Sequence, residues 1–223
     1  MMVYYLWRPT SICDTSPMAA VVFDPEAEAH FRVQAKAALR KQMRALRAAI
    51  PEKARALRSE KIVERVLSGP GFERARAIGL FWPMLDRNEV DVRPIDAAAR
   101  QGHKLVAYPF LRAEGEMALL VCDPTSLEER GNGFAEPPET AVEVDSEGLL
   151  VIVPALAVDE TGQRIGYGKG FYDRLLARIA PPASTVAVAY DFQIVSEVPA
   201  TLHDRRVDVV VTDARTVSIE RQP

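Results

Sequence analysis

Residues 164–173 form the stretch Arg-Ile-Gly-Tyr-Gly-Lys-Gly-Phe-Tyr-Asp, and the rest of the chain can be interpreted outward from it. The apolar run Leu149–Val153 before it predicts a buried strand, and residues 174–179 after it have the apolar spacing of a helix. Glycines at alternate positions let the backbone approach a ligand closely. A strand, a glycine loop and a helix start together favour phosphate binding, because loop N–H groups and the positive end of the helix dipole then face the anion.

Three charged side chains of this stretch fit the same interpretation. Lys169 adds a mobile positive charge, Arg164 adds a planar set of donors, and Asp173 could hold Mg²⁺ beside the phosphates. The stretch is neither a Walker A loop, since no Ser or Thr follows the lysine, nor a dinucleotide fingerprint, since its last two glycines are too close together. A tight connection with a favourable carboxylate at the helix start therefore stays an alternative.

Composition limits the possible classes of protein. A chain of 223 residues with 48% hydrophobic and 26% charged residues is ordinary for a globular α/β protein. The net charge of −3 argues against general nucleic-acid binding, and no apolar run is long enough to cross a membrane. The two cysteines, Cys13 and Cys122, are too few for a disulfide framework or a zinc site and fit a reducing cytoplasm.

The beginning of the chain differs from the rest. Its apolar run, Met1–Trp7, is too short for a signal peptide and has no basic region before it. We predict a disordered or loosely docked tail over residues 1–24, followed by a single domain over residues 25–223.

The remaining pattern alternates between helices and strands. Helices are expected over residues 26–49, 52–67, 92–101 and 174–179, with a short one over 192–198. Strands are expected over residues 77–82, 104–111, 116–122, 149–153, 185–190 and 207–211, with a long, functional loop over 123–148. This order predicts an α/β fold, in which a layered, mainly parallel sheet containing one hairpin is flanked by helices and the N-terminal helices pack on it.

A longer pattern around the glycines is more specific than the glycines alone. The segment RIGYGKGFYDR, with VPALAVDETGQ before it, closely resembles the signature of the 5-formyltetrahydrofolate cyclo-ligase family, or 5,10-methenyltetrahydrofolate synthetases. Residues 36–40 resemble the family's K-x-x-L-R, residues 81–83 and 89–91 its first strand and acidic turn, and Val207-Asp208 its late V-D. The resemblance covers residues 36–213.

The resemblance implies an enzyme that uses ATP and Mg²⁺ to cyclise 5-formyltetrahydrofolate to 5,10-methenyltetrahydrofolate, releasing ADP and phosphate. Transfer of the γ-phosphoryl group to the formyl oxygen would make that oxygen a good leaving group, and nitrogen 10 would then attack the carbon. Such chemistry needs positioning and charge neutralisation rather than a covalent nucleophile.

The resemblance also implies roles for individual residues. It points to Arg164 and Lys169 as catalytic residues and to Asp173 and Asp208 as Mg²⁺ ligands. The ATP contacts would be Lys36, Arg40, Arg164, Ile165, Gly166, Tyr167, Gly168, Lys169, Gly170, Phe171 and Tyr172. The folate contacts would be Trp82, Glu89, Tyr167, Gly168, Lys169, Gly170 and Phe171.

Without the resemblance, the same residues have plainer interpretations. Lys36 and Arg40 share one helix face among other basic residues, as a solvated surface would, and Glu89 could belong to an exposed polar turn. The three histidines show no catalytic or metal spacing, and no serine has the glycines of a nucleophile elbow. Two rival functions stay open: a nucleotide-binding module without catalysis, and an ATP-using enzyme for another small acid.

Overall fold

The computed structural model of the protein describes residues 24–220 and is built around an eight-stranded mixed sheet. The helices are α1 (Pro25–Ala48), α2 (Glu52–Leu67), α3 (Pro70–Arg74), α4 (Arg93–Gln101) and α5 (Phe171–Ile179). The strands are β1 (Ala77–Gly79), β2 (Leu105–Leu111), β3 (Met117–Val121), β4 (Glu128–Glu129), β5 (Ala135–Glu136), β6 (Val142–Glu143), β7 (Leu149–Pro154), β8 (Ala157–Val158), β9 (Arg164–Ile165), β10 (Ser184–Val188), β11 (Val209–Val211) and β12 (Thr216–Ser218). Apart from Asp24, the predicted tail lies outside the described residues.

The sheet has the strand order β12-β11-β10-β7-β1-β2-β3-β6. Its centre is parallel, from β11 through β10, β7 and β1 to β2, and antiparallel strands complete both edges. The predicted mainly parallel α/β fold is confirmed. Because β2 lies on one side of β1 and β7 on the other, the strand order reverses between β1 and β7. Open α/β sheets bind ligands outside the carboxyl ends of the strands at such a point.

Helices cover both faces of the sheet. On one face, Ile62 of α2 and Ile95 of α4 belong to the core that contains Ile152, while on the other Leu175 of α5 packs in a core that contains Val151. Strand β7 thus supplies alternate residues to two buried layers, which explains its continuous apolar sequence.

Helix α1 packs on this assembly and brings a row of basic residues to it. It begins at Asp24, whose carboxylate accepts a hydrogen bond from the Glu26 N–H at 3.1 Å, and it ends before Pro51. Its Met43 is buried in a small cluster with Ile165 and Val198, next to the glycine loop. Helix α2 therefore confirms the expected packing of an N-terminal helix on the sheet, whereas α1 packs on the β8–β9 pair.

Several predicted boundaries are wrong. Strand β1 ends at Gly79 rather than at residue 82, and α5 begins at Phe171, three residues earlier than expected, because Gly170 caps it with φ 66°. The helix expected over 192–198 is only a 3₁₀ turn at Asp191–Gln193. There the Gln193 side chain accepts a hydrogen bond from the Tyr190 N–H and donates to backbone carbonyls, which replaces helical hydrogen bonds. Strand β12 and the short pairings inside residues 123–148 were not predicted.

Candidate active site

A cavity of about 400 Å³ opens at the carboxyl ends of β1 and β7. Phe81 and Trp82, which follow β1, and residues 154–156 at the end of β7 form its floor and one wall. The glycine loop, residues 166–170, forms another wall, and parts of α1 and of the long loop complete it. The cavity therefore occupies the ligand-binding position of this fold and has the size of a small-molecule site.

The glycine loop is held against α1 by close contacts. Arg40 Nε donates to the Gly166 carbonyl oxygen at 3.0 Å. Gly168 has φ 102°, and a Cβ atom there would lie 3.2 Å from the Arg40 guanidinium carbon. A side chain at residue 168 would thus strain the backbone and push Arg40 away, so glycine is needed for both reasons.

Two cations next to this loop have no carboxylate partner among the described residues. Lys169 is exposed, and its ammonium nitrogen lies 5.5 Å from the centre of the Phe171 ring. Arg40 bonds only a carbonyl, and burial together with the nearby Arg44 lowers its pKa. Lys36, in contrast, pairs with Asp204 at 2.5 Å. An anion in the cavity would find Lys169 and Arg40 outside any ion pair of the described residues, although Asp204 acts on Arg40 from farther away.

The buried Arg164 pairs with the partly exposed Asp173 at the cavity wall. Arg164 Nη2 donates to Asp173 Oδ1 at 3.0 Å, and the Arg205 N–H donates to the same oxygen at 3.1 Å. Burial lowers the pKa of Arg164, while Asp173 opposes that effect. The Arg164 Nε has no hydrogen-bond partner in the described part of the chain. The arginine therefore orients Asp173 and keeps one buried donor available.

Glu89 lies at the floor of the cavity and is 3% exposed. It accepts hydrogen bonds from the Met84 N–H at 2.8 Å and from the Tyr167 hydroxyl at 2.7 Å, and Arg47 Nη2 lies 4.0 Å away. Burial raises the pKa of Glu89, and burial together with this carboxylate raises the pKa of Tyr167 to about 12. Although residues 85–87 of the turn are exposed, the Glu89 carboxylate is buried and is joined to the glycine loop.

Aromatic side chains supply flat apolar surface beside Glu89. Trp82 and Phe171 line the cavity, and Trp82 meets Tyr108 edge-to-face with ring centres 6.1 Å apart. The Tyr108 hydroxyl donates to Asp96 at 2.6 Å, which fixes that ring from behind. The cavity thus combines a flat ring pocket with a carboxylate acceptor.

The structure does not bring Asp208 to Asp173. Asp208 precedes β11, at the amino end of the parallel strands, and its carboxylate accepts hydrogen bonds from the Thr185 N–H and hydroxyl, both at 2.9 Å. The cavity lies at the opposite ends of the strands, and Asp208 does not line it. Asp204 lines it instead, one residue before the Arg205 N–H that bonds Asp173.

Other residues at or beside the cavity were missed from the sequence. Asn132 and Asp204 belong to its lining, and Asn132 donates to the buried Glu136 at 2.7 Å. Arg47 is buried behind the lining, next to Glu89. No spacing in the sequence distinguishes these residues, because tertiary packing brings them together from segments far apart in the chain.

These features define the class of protein as an α/β enzyme whose cavity joins a glycine loop to a buried carboxylate at the reversal point of a mainly parallel sheet. A model of the 5-formyltetrahydrofolate cyclo-ligase family matches residues 32–213. The chain belongs to this family, and the family resemblance of the sequence is confirmed.

Two relatives with this name share most of their length with the chain, and a third shares less than half. The 5-formyltetrahydrofolate cyclo-ligase of Mus musculus is 29% identical over 191 residues, covering 75% of this chain and 92% of the mouse protein. That of Escherichia coli K12 is 29% identical over 175 residues, covering 76% and 94%. The Mycolicibacterium smegmatis protein of the same name is 41% identical over only 87 residues, which is 38% of this chain and 45% of that protein.

Solved structures agree with the family assignment. The NMR structure of Aquifex aeolicus 5,10-methenyltetrahydrofolate synthetase has a TM-score of 0.72 at 32% identity, covering 84% of this chain and 94% of that chain. A Mycoplasma pneumoniae structure of the same name, at 21% identity and a TM-score of 0.64, supports the fold.

Proposed function

We propose that the protein catalyses the ATP- and Mg²⁺-dependent cyclisation of 5-formyltetrahydrofolate to 5,10-methenyltetrahydrofolate, with release of ADP and phosphate. The observation that carries the proposal is the hydrogen bond from Tyr167 to Glu89. It joins a loop suited to phosphate to a carboxylate suited to a ring N–H, inside one cavity. Two ligands that must react with each other need such a shared space.

The Glu89 side of the cavity would hold the folate ring system. A buried carboxylate that accepts ring N–H donors is a strong and directional contact, since hydrogen bonds to charged groups contribute about 1.5–3 kcal/mol. Trp82 and Phe171 would pack on the flat rings. This side is therefore assigned to the formylated substrate.

The glycine loop would hold the triphosphate of ATP. Glycine-rich loops at helix starts offer backbone N–H groups to phosphate oxygens, and Lys169, Arg40 and Lys36 add positive charge. Asp173 and Asp204 are the carboxylates that line this side, and oxygen ligands of this kind suit Mg²⁺. Bound Mg²⁺ would neutralise part of the phosphate charge. We replace the predicted Asp208 with Asp204 in this role.

With both ligands held in one cavity, the reaction would need correct positioning of the reacting atoms and no covalent nucleophile from the protein. The formyl oxygen would attack the γ-phosphorus and ADP would leave. The phosphoryl group is then on the formyl oxygen, and the formyl group on nitrogen 5 has become an imidate phosphate. Nitrogen 10 attacks the activated carbon, its proton is lost, and the C–O bond breaks to release phosphate. Lys169 and the loop N–H groups would stabilise the charge on the transferring phosphoryl group, as in other phosphoryl transfers.

The test is the absorbance of the methenyl product, followed with purified protein, 5-formyltetrahydrofolate and Mg²⁺, with and without ATP. We expect product only with ATP, and one ADP for each methenyl group formed. ATP binding without product or ADP would instead favour the nucleotide-binding module, and turnover of ATP with another acid alone would favour the second rival.

The two cysteines support, as a further proposal, a cytoplasmic location.

A further inference from the structure

Two arginines beside Tyr167, at the rim of the cavity, form no ion pair. Arg44 and Arg87 are both exposed, and neither forms an ion pair or a side-chain hydrogen bond with any described residue. The neighbouring cations Lys36 and Arg164, in contrast, pair with Asp204 and Asp173. The rim on the Glu89 side therefore carries positive charge that no ion pair in the described part of the chain neutralises, although Arg87 also acts on the nearby Glu89 carboxylate.

Both arginines are held beside the same tyrosine. The guanidinium carbons of Arg44 and Arg87 lie 5.9 and 5.5 Å from the centre of the Tyr167 ring, whose hydroxyl bonds Glu89. Exposed contacts of this kind contribute only about 0.5–1 kcal/mol, so a carboxylate can compete for the same arginines. Tyr167 thus spans the distance from the floor of the cavity to a cationic rim.

The two elements that carry these arginines are fixed to each other. Arg47 Nη2 donates to the Arg87 carbonyl oxygen at 2.5 Å, and Asn88 Nδ2 donates to the Arg47 carbonyl oxygen at 3.0 Å. Helix α1 and the acidic turn therefore present their arginines as one pair, while the long side chains stay free to move toward a ligand.

The proposed folate substrate carries carboxylates that need positively charged partners in addition to the residues that hold its ring system and the phosphates of ATP. A folate ends in a glutamate with two carboxylates, and with the ring system at Glu89 these must leave through the rim toward solvent, since burying them unpaired is unfavourable. Arg40 and Lys169 lie on the loop side, where phosphates would use them. On the other side, Arg44 and Arg87 lie beside Tyr167 and pair with no carboxylate among the described residues.

We propose that Arg44 and Arg87 bind the glutamate tail of the folate substrate. This inference rests on the proposed function for the identity of the substrate. It adds two specificity residues that contact the tail and take no part in the phosphoryl transfer. Additional γ-linked glutamates would extend the same contact, because each adds a carboxylate near the same rim.

The test compares ligands with and without the tail. The dissociation constants of 5-formyltetrahydrofolate and of 5-formyltetrahydropteroate, which lacks the glutamate, are measured by calorimetry for the parent, Arg44→Gln, Arg87→Gln and the double variant. Arg74→Gln is the matched control, since Arg74 is an exposed arginine that precedes β1 at the amino end of the sheet.

We expect each single variant to weaken 5-formyltetrahydrofolate binding about two- to fivefold and the double variant about tenfold, the scale of exposed ion pairs. The effect should shrink at high salt. Binding of the pteroate analogue and of ATP should stay unchanged, and the control should match the parent for every ligand.

Equal weakening of both folates would assign the arginines to the shape of the ring pocket and overturn the inference. Weakening of ATP alone would assign them to phosphate and overturn it as well. The proposed function fails separately, when the parent binds 5-formyltetrahydrofolate but forms no methenyl product. A parent that does not bind 5-formyltetrahydrofolate overturns both.

Discussion

Residues 191 and 212–215 follow β10 and β11 at the carboxyl ends of these strands, and we call this region the β10–β11 edge. The cavity and the β10–β11 edge occupy equivalent positions at the carboxyl ends of parallel strands, yet their charges are arranged differently. At the edge, Asp191 accepts hydrogen bonds from Arg215 at 2.9 and 3.0 Å and from Thr212 at 2.8 Å. At the cavity, Lys169 and Arg40 have no carboxylate partner among the described residues, and the Arg164 Nε donor is buried and unused. Position in the fold makes a site possible, but incomplete pairing of charge distinguishes the site that needs a ligand.

The pKa shifts of the carboxyl groups in the two regions have opposite signs, because a different physical cause dominates each of them. The Arg215 hydrogen bonds lower the pKa of Asp191, because the exposed edge compensates its charge. Burial raises the pKa of Glu89, and the donors around it do not reverse that shift. A carboxylate held at a raised pKa in a cavity is a candidate for ligand contact, whereas a lowered pKa at a surface pair indicates stabilisation of the fold.

The largest expected effect on turnover comes from removing Lys169 at the cavity, with removal of Arg215 at the β10–β11 edge as the comparison. Lys169→Ala should slow turnover or weaken ATP use about ten- to a hundredfold, because a charge-assisted hydrogen bond to phosphate is worth about 1.5–3 kcal/mol. Arg215→Ala should leave the kinetics unchanged. Methenyl absorbance at varied ATP measures both variants, with thermal melting to verify folding. Similar kinetics for parent and Lys169→Ala would remove the lysine from the site.

A second experiment tests the buried carboxylate. Glu89→Gln should weaken folate binding or turnover at least about tenfold while ATP affinity stays nearly unchanged, because only the folate uses this side. In the parent, folate affinity should fall as the pH drops toward the raised pKa of Glu89, since only the ionised form accepts two donors. Calorimetry over a pH series checks this, and a parent and variant with identical pH profiles would contradict it.

A third experiment compares three carboxylates. Asp173→Asn and Asp204→Asn should raise the Mg²⁺ concentration for half-maximal rate several-fold, because a lost carboxylate ligand weakens a Mg²⁺ site. Asp208→Asn should not, because its carboxylate bonds Thr185 at the other end of the sheet. The measurement is a Mg²⁺ titration of the rate at saturating ATP. A shift in Asp208→Asn without one in Asp204→Asn would restore the original prediction.

The fold could be predicted from local patterns because each was strong. The run Leu149–Val153 is apolar on both faces of β7, and Pro51 and the glycines after α2 mark helix ends. The helix expected over 192–198 was wrong because a tertiary interaction decided it: Gln193 bonds carbonyls of the strand-end residues Ala155 and Leu156. Propensity contains no information about such partners.

Residues of the candidate site were predictable from two kinds of pattern. The glycine loop was predicted from its own spacing, whereas Lys36, Arg40 and Glu89, which also line the cavity, were predicted from the family resemblance. Asn132 and Asp204 reach the cavity, and Arg47 reaches Glu89, through tertiary contacts, so no local pattern predicted them. Asp208 was chosen over Asp204 because a two-residue pattern cannot show which carboxylate faces the cavity and which bonds Thr185.

The smallest expected effect concerns the edge. The hydrogen bonds from Arg215 lower the pKa of Asp191, so this carboxylate stabilises the fold above the pKa of an unfolded Asp, about 3.9, and loses that contribution as the pH falls through its lower folded value. Because the Asp191–Arg215 pair is still partly open to solvent, with side chains 23% and 47% exposed, screening limits the effect to at most about 1 kcal/mol, or about 2–4 °C in Tm. Asp191→Asn should therefore melt slightly below the parent at pH 7.

The difference between the two melting temperatures should shrink once the pH falls below about 4 and disappear below the lower folded pKa of Asp191, where the parent's carboxyl is neutral like the amide. Turnover at pH 7 should be the same in both proteins, because the edge contributes to stability and not to ligand binding. A gap in Tm that stays constant down to pH 3 would mean that packing, rather than charge, is what Asp191 supplies. A loss of turnover in the folded variant would instead contradict the distinction between the paired edge and the unpaired cavity.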